Sequence, residues 1–163
     1  MTSMAVQLNG VDKHYPHFQL SDLQLNLPTG QIMGFIGPNG AGKTTTIRIL
    51  MGLIRPDRGQ VQVLGQTMPG QQIEAKREIG FVSEDMRLYG RATLEWHMGF
   101  VRSIYPNWDA AYANQLLRRF DLNAKQKLKG FSHGQRVKAM LLLVLARRPK
   151  LLGSGPARSG RWR

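Results

Sequence analysis

Residues Gly37-Pro38-Asn39-Gly40-Ala41-Gly42-Lys43-Thr44 fit the pattern G-x-x-x-x-G-K-[ST] at every position. The spelling has a physical reason. Glycines let a backbone wrap close to a phosphate and turn successive N–H groups toward it. A helix that begins at this point aims its positive end at the same anion. Lys43 then reaches the terminal phosphates of a nucleoside triphosphate, the Thr44 hydroxyl ligates Mg²⁺, and Thr45 adds a phosphate contact. The bland alternative is a glycine-rich turn that binds nothing. The complete motif, set between an apolar run and an amphipathic one, argues against it.

Other chemistries are excluded by composition. The chain of 163 residues has no cysteine. That removes disulfides, a thiol nucleophile and Cys-ligated zinc or iron–sulfur sites. Apolar residues make up 42% and charged residues 20%, as in globular domains. A chain of this size buries roughly 70% of its unfolded surface and needs no covalent staple. Lys and Arg number 23 against 10 Asp and Glu, for a net charge of +13. Such an excess points to a polyanionic neighbour: nucleic acid, phospholipid headgroups or a phosphorylated small molecule. The N-terminus shows no basic segment followed by an apolar core, so no signal peptide is read. The longest apolar run, Ala139–Ala146, has eight residues, against about 20 for a membrane-spanning helix. The chain is expected to be soluble or peripheral on a membrane.

The loop needs elements to hold it. Gln31–Ile36 is a short apolar run and reads as a buried central strand leading into it. Ile47, Leu50, Met51 and Ile54 recur at helical spacing after it, and Arg55-Pro56-Asp57-Arg58-Gly59 ends that helix. Val6 and Leu8 alternate with polar residues, as do Leu23, Leu25 and Leu27, and again Val61 and Val63; these are half-buried strands. Gln71–Glu78 reads as a short helix and Gly80–Ser83 as a short strand. Residues 87–128 are helical in pattern and rich in aromatics: Trp96, Phe100, Tyr105, Trp108, Tyr112 and Phe120. These aromatics read as core in preference to interface. Pro106-Asn107 divides the region in two, with Asn107 or Asp109 as the second N-cap. Lys125, Lys127 and Lys129 form a basic connector. A last helix opens at Phe131-Ser132-His133-Gly134-Gln135 and carries Val137, Met140, Leu141, Val144 and Leu145 as an apolar stripe. Arg147-Arg148-Pro149 stops it. Lys150-Leu151-Leu152 begins what should be a buried strand, but the strand is expected not to follow. Residues 153–163 have no periodicity.

GPNGAGKTT, followed about ninety residues later by SHGQ at a helix start, resembles the ATP-binding-cassette (ABC) ATPases. The resemblance covers residues 4–152. In that family a signature L-S-G-G-Q opens a helix in this way; Ser132, Gly134 and Gln135 match, while Phe131 and His133 depart. It implies an α/β fold: a P-loop NTPase core of ABC type, with an N-terminal antiparallel β subdomain and an α-helical insert, truncated before an Asp-Glu strand. The implied divisions are 1–86 for the nucleotide-binding core with the β subdomain, 87–130 for the helical subdomain, 131–152 for the signature helix and return to the core, and 153–163 for a tail foreign to the pattern.

The resemblance also implies roles. ATP and Mg²⁺ would be the cofactors, held by Gly37–Thr45. Ser132, His133, Gly134 and Gln135 would meet the γ-phosphate of ATP bound to a partner subunit; alternatively Ser132 is only an N-cap. Tyr15 stands where the family stacks an aromatic on adenine, with His14 and Phe18 able to substitute; alternatively it packs at a strand end. Glu84 stands where the family has a glutamine, as a second Mg²⁺ ligand or as a solvated acidic pair with Asp85. The implied partners are an integral membrane permease and a second ATPase subunit, in a homodimer or a pair. The implied location is the cytoplasmic face of the plasma membrane, with no direct nucleic-acid contact. A soluble ABC protein acting on ribosomes or DNA is the second reading, which the net +13 favours. An unrelated P-loop kinase is the third, and Ser132–Gln135 stand against it.

Hydrolysis needs an acid to hold Mg²⁺ and a group to polarise water. The family places both as Asp-Glu after the strand that follows the signature helix. Here the sequence reads Gly153-Ser154-Gly155, with no Asp or Glu from 153 onward. The family's later aspartate loop and switch histidine are absent too. The expectation is that no catalytic set is intact and that the chain is a truncated or frame-shifted copy, a genuine short variant being the alternative. Loss of the strand should leave Gln31–Ile36 and the apolar stripe of the last helix exposed.

Overall fold

The structure is a computed structural model, and it describes residues 3–83 and 86–155. The chain divides into two compact units, Met1–Glu78 and Ile79–Arg163.

The first unit is built on an antiparallel sheet of four strands in the order β2-β1-β3-β4. They are β1 (Met4–Tyr15), β2 (Phe18–Pro28), β3 (Arg58–Val63) and β4 (Gln66–Thr67). Period-2 alternation sets the register. Val6 lies opposite Leu27 on one side and Val63 on the other, and Leu8 lies between Leu25 and Val61. One face is therefore a packed row: Leu8, Val11, Val61 and Val63 are wholly buried. Helix α1 (Lys43–Leu50) adds Thr46, Ile49 and Leu50 to this core, and α2 (Gln72–Glu78) adds Ala75. The apolar spacing predicted Leu50 and Met51 correctly, whereas Ile49 is more buried than Ile47 or Ile54.

Gly59 shows how tightly β1 and β3 meet. Its φ is +88°, and a Cβ there would lie 2.3 Å from the Gly10 carbonyl oxygen. Both the left-handed backbone and the close approach require glycine. Gly59→Ala should therefore cost at least about 2 kcal/mol of stability, readable as a lowered urea midpoint at unchanged slope.

The second unit pairs β5 (Ile79–Val82) with β6 (Leu151–Ser154) as parallel strands, Ile79 opposite Leu151 and Val82 opposite Ser154. Three helices accompany them: α3 (Leu94–Ile104), α4 (Ala110–Phe120) and α5 (His133–Leu145). Thr93 caps α3 by accepting from the Trp96 N–H, and Asp109 caps α4 by accepting from the Tyr112 N–H. Of the two N-cap candidates, Asp109 is the one used. Its carboxyl is held below the ordinary value by the Tyr112 amide and by Arg148. Arg148 also lies over the Tyr112 ring, and Arg147 over Tyr105. The core gathers Leu94, Leu116, Leu128, Phe131, Ala139, Leu142 and Leu143.

Three expectations are corrected. Gln31–Ile36 forms no strand; it pairs with no strand among the described residues, and Ile32 and Ile36 are 100% and 99% exposed. An apolar run supplies strand propensity, but a strand exists only with a ladder partner. The strand after α5 does form, over Leu151–Ser154, because β5 offers a parallel edge; Leu152 remains 46% exposed. Of the two exposures expected, Gln31–Ile36 is open, but the α5 stripe is not: Met140 and Val144 are buried, and Val137, Leu141 and Leu145 pack half-buried against the second unit's clusters. Ala139, Met140, Leu142, Leu143 and Val144 are buried within the second unit's own clusters.

Candidate functional site

The motif Gly37–Thr44 lies in the first unit as a loop running into the first turn of α1. Gly40 and Gly42 take φ of +85° and +89°. Gly42 is the N-cap of α1, and no side chain caps it. The first-turn amides of that helix are thus left to whatever the loop holds. Thr46 anchors the turn from below: it is buried, and both its N–H and its Oγ1 donate to the Gly42 carbonyl, at 2.8 and 3.0 Å. The Ala41 N–H donates to Pro38 across the loop.

The Lys43 ammonium is folded into this loop. Its Nζ donates to the carbonyls of Gly37 and Pro38, at 2.5 and 2.6 Å. A cation is therefore stationed where the motif requires one. A Cβ on Gly37 would stand 3.4 Å from the Ala41 Cβ and 4.0 Å from Lys43 Nζ, so a side chain there would intrude on the cradle. A Cβ on Gly42 would meet Leu20 at 3.0 Å and Phe18 at 3.1 Å. Glycine spacing, ammonium and the adjoining Thr44 and Thr45 hydroxyls fit a nucleoside triphosphate. Among the described residues no group of three His, Asp or Glu gathers into a metal site. Within the loop, the Thr44 hydroxyl is the side-chain oxygen that would hold Mg²⁺. Glu84, the other candidate ligand, lies outside the described residues.

Tyr15 ends β1, 39% exposed, with its ring centroid 6.3 Å from that of Phe18 and the Lys13 ammonium 5.7 Å over its face. Phe18 is the aromatic that touches the Gly42 position, so the two rings form a short apolar step beside the loop. Sequence reading chose Tyr15 and kept Phe18 as a substitute; the structure puts Phe18 nearer. It also shows an ion pair that periodicity did not reveal. Asp57 accepts from Lys13 Nζ at 2.7 Å and from the His14 N–H at 2.7 Å, and its pKa falls to about 2. The only sequence signal was the turn Arg55–Gly59. A depressed carboxylate stabilises the fold above its ordinary value of 3.8, and that contribution is lost as pH falls through about 2. Asp57→Asn should accordingly flatten the loss of stability between those two pH values, measured by chemical denaturation.

In the second unit, Ser132, His133, Gly134 and Gln135 come together at the start of α5 as a capping box. Ser132 Oγ accepts from the Gln135 N–H at 3.2 Å, and Gln135 Oε1 accepts from the Ser132 N–H at 2.9 Å. The N-cap role of Ser132 is thus realised. His133 and Gly134 are exposed. Along β6, which lies beside β5, the residues are Leu151-Leu152-Gly153-Ser154, with no carboxylate. The last acid in the sequence is Asp121, and eleven Lys and Arg follow it.

The aromatics of 87–128 separate into two groups. Trp108, Tyr112 and Phe120 pack against the core as expected. Trp96 and Phe100 do not; they are 48% and 49% exposed and stack with centroids 5.5 Å apart and planes 3° from parallel. Tyr89, 69% exposed, meets Trp96 edge-on at 5.8 Å. Spacing carried the signal. Leu94, His97 and Val101 define the inward stripe of α3, and Trp96, Phe100 and Ile104 fall on another face.

The family model described as ABC transporter matches residues 20–153. The chain belongs to the ABC transporter family. It is 33% identical over 164 residues to the daunorubicin resistance ATP-binding protein DrrA3 of Streptomyces coeruleorubidus, covering 93% of this chain and 50% of that protein. It is 32% identical over 159 residues to the sulfate/thiosulfate import ATP-binding protein CysA of Bacillus cereus, covering 91% and 44%. The chain spans about half the length of these curated relatives. A solved ATP-binding subunit of an ABC transporter superposes with a TM-score of 0.81 at 27% identity, over 92% of this chain and 65% of the other. A nucleotide-free ATP-binding cassette matches in fold with a TM-score of 0.75 at 18% identity, covering 97% and 71%. The α/β P-loop fold of ABC type is therefore confirmed. The kinase alternative falls with the family assignment.

Proposed function

We propose that this ABC chain is the ATP-binding, energy-coupling subunit of a membrane transporter. The observation that carries this is the Lys43 ammonium held inside a glycine loop that caps α1. ATP would place its β- and γ-phosphates where Lys43 now contacts the Gly37 and Pro38 carbonyls, with Pro38, Asn39, Gly40, Ala41 and Gly42 wrapping them. Mg²⁺, when bound, neutralises phosphate charge; Thr44 holds it, with Glu84 as the second ligand. Thr45 adds a phosphate contact, and Tyr15 with Phe18 receives the base. Ser132, His133, Gly134 and Gln135 meet ATP held by a second ATPase subunit, through the exposed start of α5.

The exposed Tyr89, Trp96 and Phe100 form the surface that an integral membrane permease covers. Aromatics left open on a folded unit mark contact surfaces, and the family supplies the occupant. No described helix is long and apolar enough to cross a membrane. On the permease reading, the chain sits on the cytoplasmic face of the membrane and reaches it through that permease. The relatives' names include both import and drug resistance, so neither cargo nor direction is assigned.

A photo-cross-linking residue at position 96 tests the reading. The cross-linked partner should be a chain with membrane-spanning helices. Cross-links to ribosomal proteins would instead establish the soluble alternative, which the eleven cations after Asp121 favour.

A further inference from the structure

A cavity of about 510 Å³ lies within the second unit. Its volume is that of a small-molecule site. Two kinds of side chain line it. Leu128 and Met140, 2% and 4% exposed, and the half-buried Leu88 give it an apolar floor. Arg87, Lys129 and Arg136, all exposed, give it a cationic rim. Among the described residues no carboxylate lines the cavity, and none pairs with these cations. The walls are tied in place. The Leu128 N–H donates to the Ala92 carbonyl at 3.1 Å and the Lys129 N–H to that of Gly90 at 2.8 Å, which joins the connector after α4 to the segment before α3. Arg136 Nε donates to the Phe131 carbonyl at 3.2 Å. On α5, His133, Arg136 and Met140 recur at i, i+3 and i+7, so one stripe of that helix closes the other side. Ser132, Gly134 and Gln135 do not line the cavity, which separates it from the anion contact given to the signature.

We propose that this cavity binds an anionic amphiphile, a molecule with an acyl or similarly apolar body and a phosphate or carboxylate head. The binding does not depend on the permease reading above. The body displaces water from Leu88, Leu128 and Met140, a gain that grows with the apolar area covered. Met86 and Met140 flank it with flexible, polarisable thioethers, which adapt to bodies of differing shape. The head meets Arg87, Lys129 and Arg136, and a guanidinium takes phosphate or carboxylate through paired N–H donors. His133 adds a ring donor. A neutral apolar molecule would leave the rim unused. A bare phosphate would leave the floor wet and gain from exposed cations only what solvent screening allows. A molecule with both parts uses both linings.

The experiment titrates the full chain with decyl phosphate below its micelle concentration, by calorimetry, with and without saturating ATP–Mg²⁺. One saturable site per chain is expected, unaffected by ATP, with inorganic phosphate and uncharged decyl maltoside at least about tenfold weaker. Arg87→Gln combined with Lys129→Gln removes two exposed cations and should weaken decyl phosphate at least about tenfold. Gly90→Phe should abolish binding by filling the cavity. An added Cβ there stands 3.6 Å from the Lys129 Cβ, an ordinary contact, so circular dichroism should match the parent. Vesicles of phosphatidylcholine containing phosphatidic acid separate two sources of such a molecule. Gly90→Phe keeps the net charge, so loss of its vesicle binding would place the ligand in a membrane, whereas equal vesicle binding by parent and variant would make it a freely diffusing amphiphile. Displacement by ATP, equal affinity for decyl maltoside or for inorganic phosphate, several equivalent sites, or unchanged affinity in both variants would overturn the proposal.

Discussion

The 163-residue chain should release phosphate from ATP–Mg²⁺ at far below 0.1 s⁻¹, against about 10 s⁻¹ for an ordinary enzyme. The phosphate loop can bind, but binding a ground state does not by itself accelerate attack by water. Attack needs a carboxylate to fix the metal and a base or hydrogen-bond acceptor to orient the nucleophile. The strand available to present them is β6, and it reads Leu151-Leu152-Gly153-Ser154 beside β5. Serine has no charge to hold Mg²⁺, and glycine has no side chain at all. Loss of one catalytic group typically costs 10² to 10⁴ in rate, and β6 presents neither a carboxylate nor a base. A coupled phosphate-release assay on the purified chain decides the matter. Turnover above roughly 0.1 s⁻¹ would mean that an acid elsewhere, Glu84 first among them, serves the reaction.

Lys43→Ala should weaken ATP binding at least tenfold and leave the fold intact. The ammonium is half-buried within the loop and donates to two backbone carbonyls, those of Gly37 and Pro38. Exchanging those neutral carbonyls for phosphate oxygens gives the cation an anionic acceptor, with hydrogen bonds to charged groups worth about 1.5–3 kcal/mol each. Alanine loses that gain while keeping helix propensity at the first position of α1. The core residues Thr46, Ile49 and Leu50 lie further along the helix and are untouched. Calorimetric titration of parent and variant with ATP should show the loss, and circular dichroism should show the same helix content.

Much of this was legible in the sequence, for identifiable reasons. The loop was readable because phosphate binding restricts residue type at fixed spacing, and no tertiary partner is needed to see it. The half-buried strands β1, β2 and β3 were readable because one face packs and the other does not, which writes alternation directly into Val6, Leu8, Leu23, Leu25, Val61 and Val63. Gln31–Ile36 misled because an apolar run records what a segment could bury, not whether a neighbouring strand is present. Trp96 and Phe100 misled through composition: aromatics average to core, and only their placement relative to Leu94, His97 and Val101 distinguishes an outward pair. Ser132 could not be resolved from its spelling, because a capping box and an anion-binding signature draw on the same residues. The two hydrogen bonds of the buried His97 ring left no trace, since their partners are backbone groups of Tyr89 and Thr93.

The central claim is that the Gly37–Thr45 loop recognises the outer phosphates of ATP. Calorimetric titration of the full chain with ATP and with AMP, both in excess Mg²⁺, tests it most directly. AMP offers the same base and sugar to Tyr15 and Phe18 but carries no β- or γ-phosphate for Lys43. The account predicts saturable heat with ATP and an affinity for AMP at least about a hundredfold weaker, the equivalent of two charge-assisted contacts. Equal affinity for the two nucleotides, or no saturable heat with ATP, would contradict it.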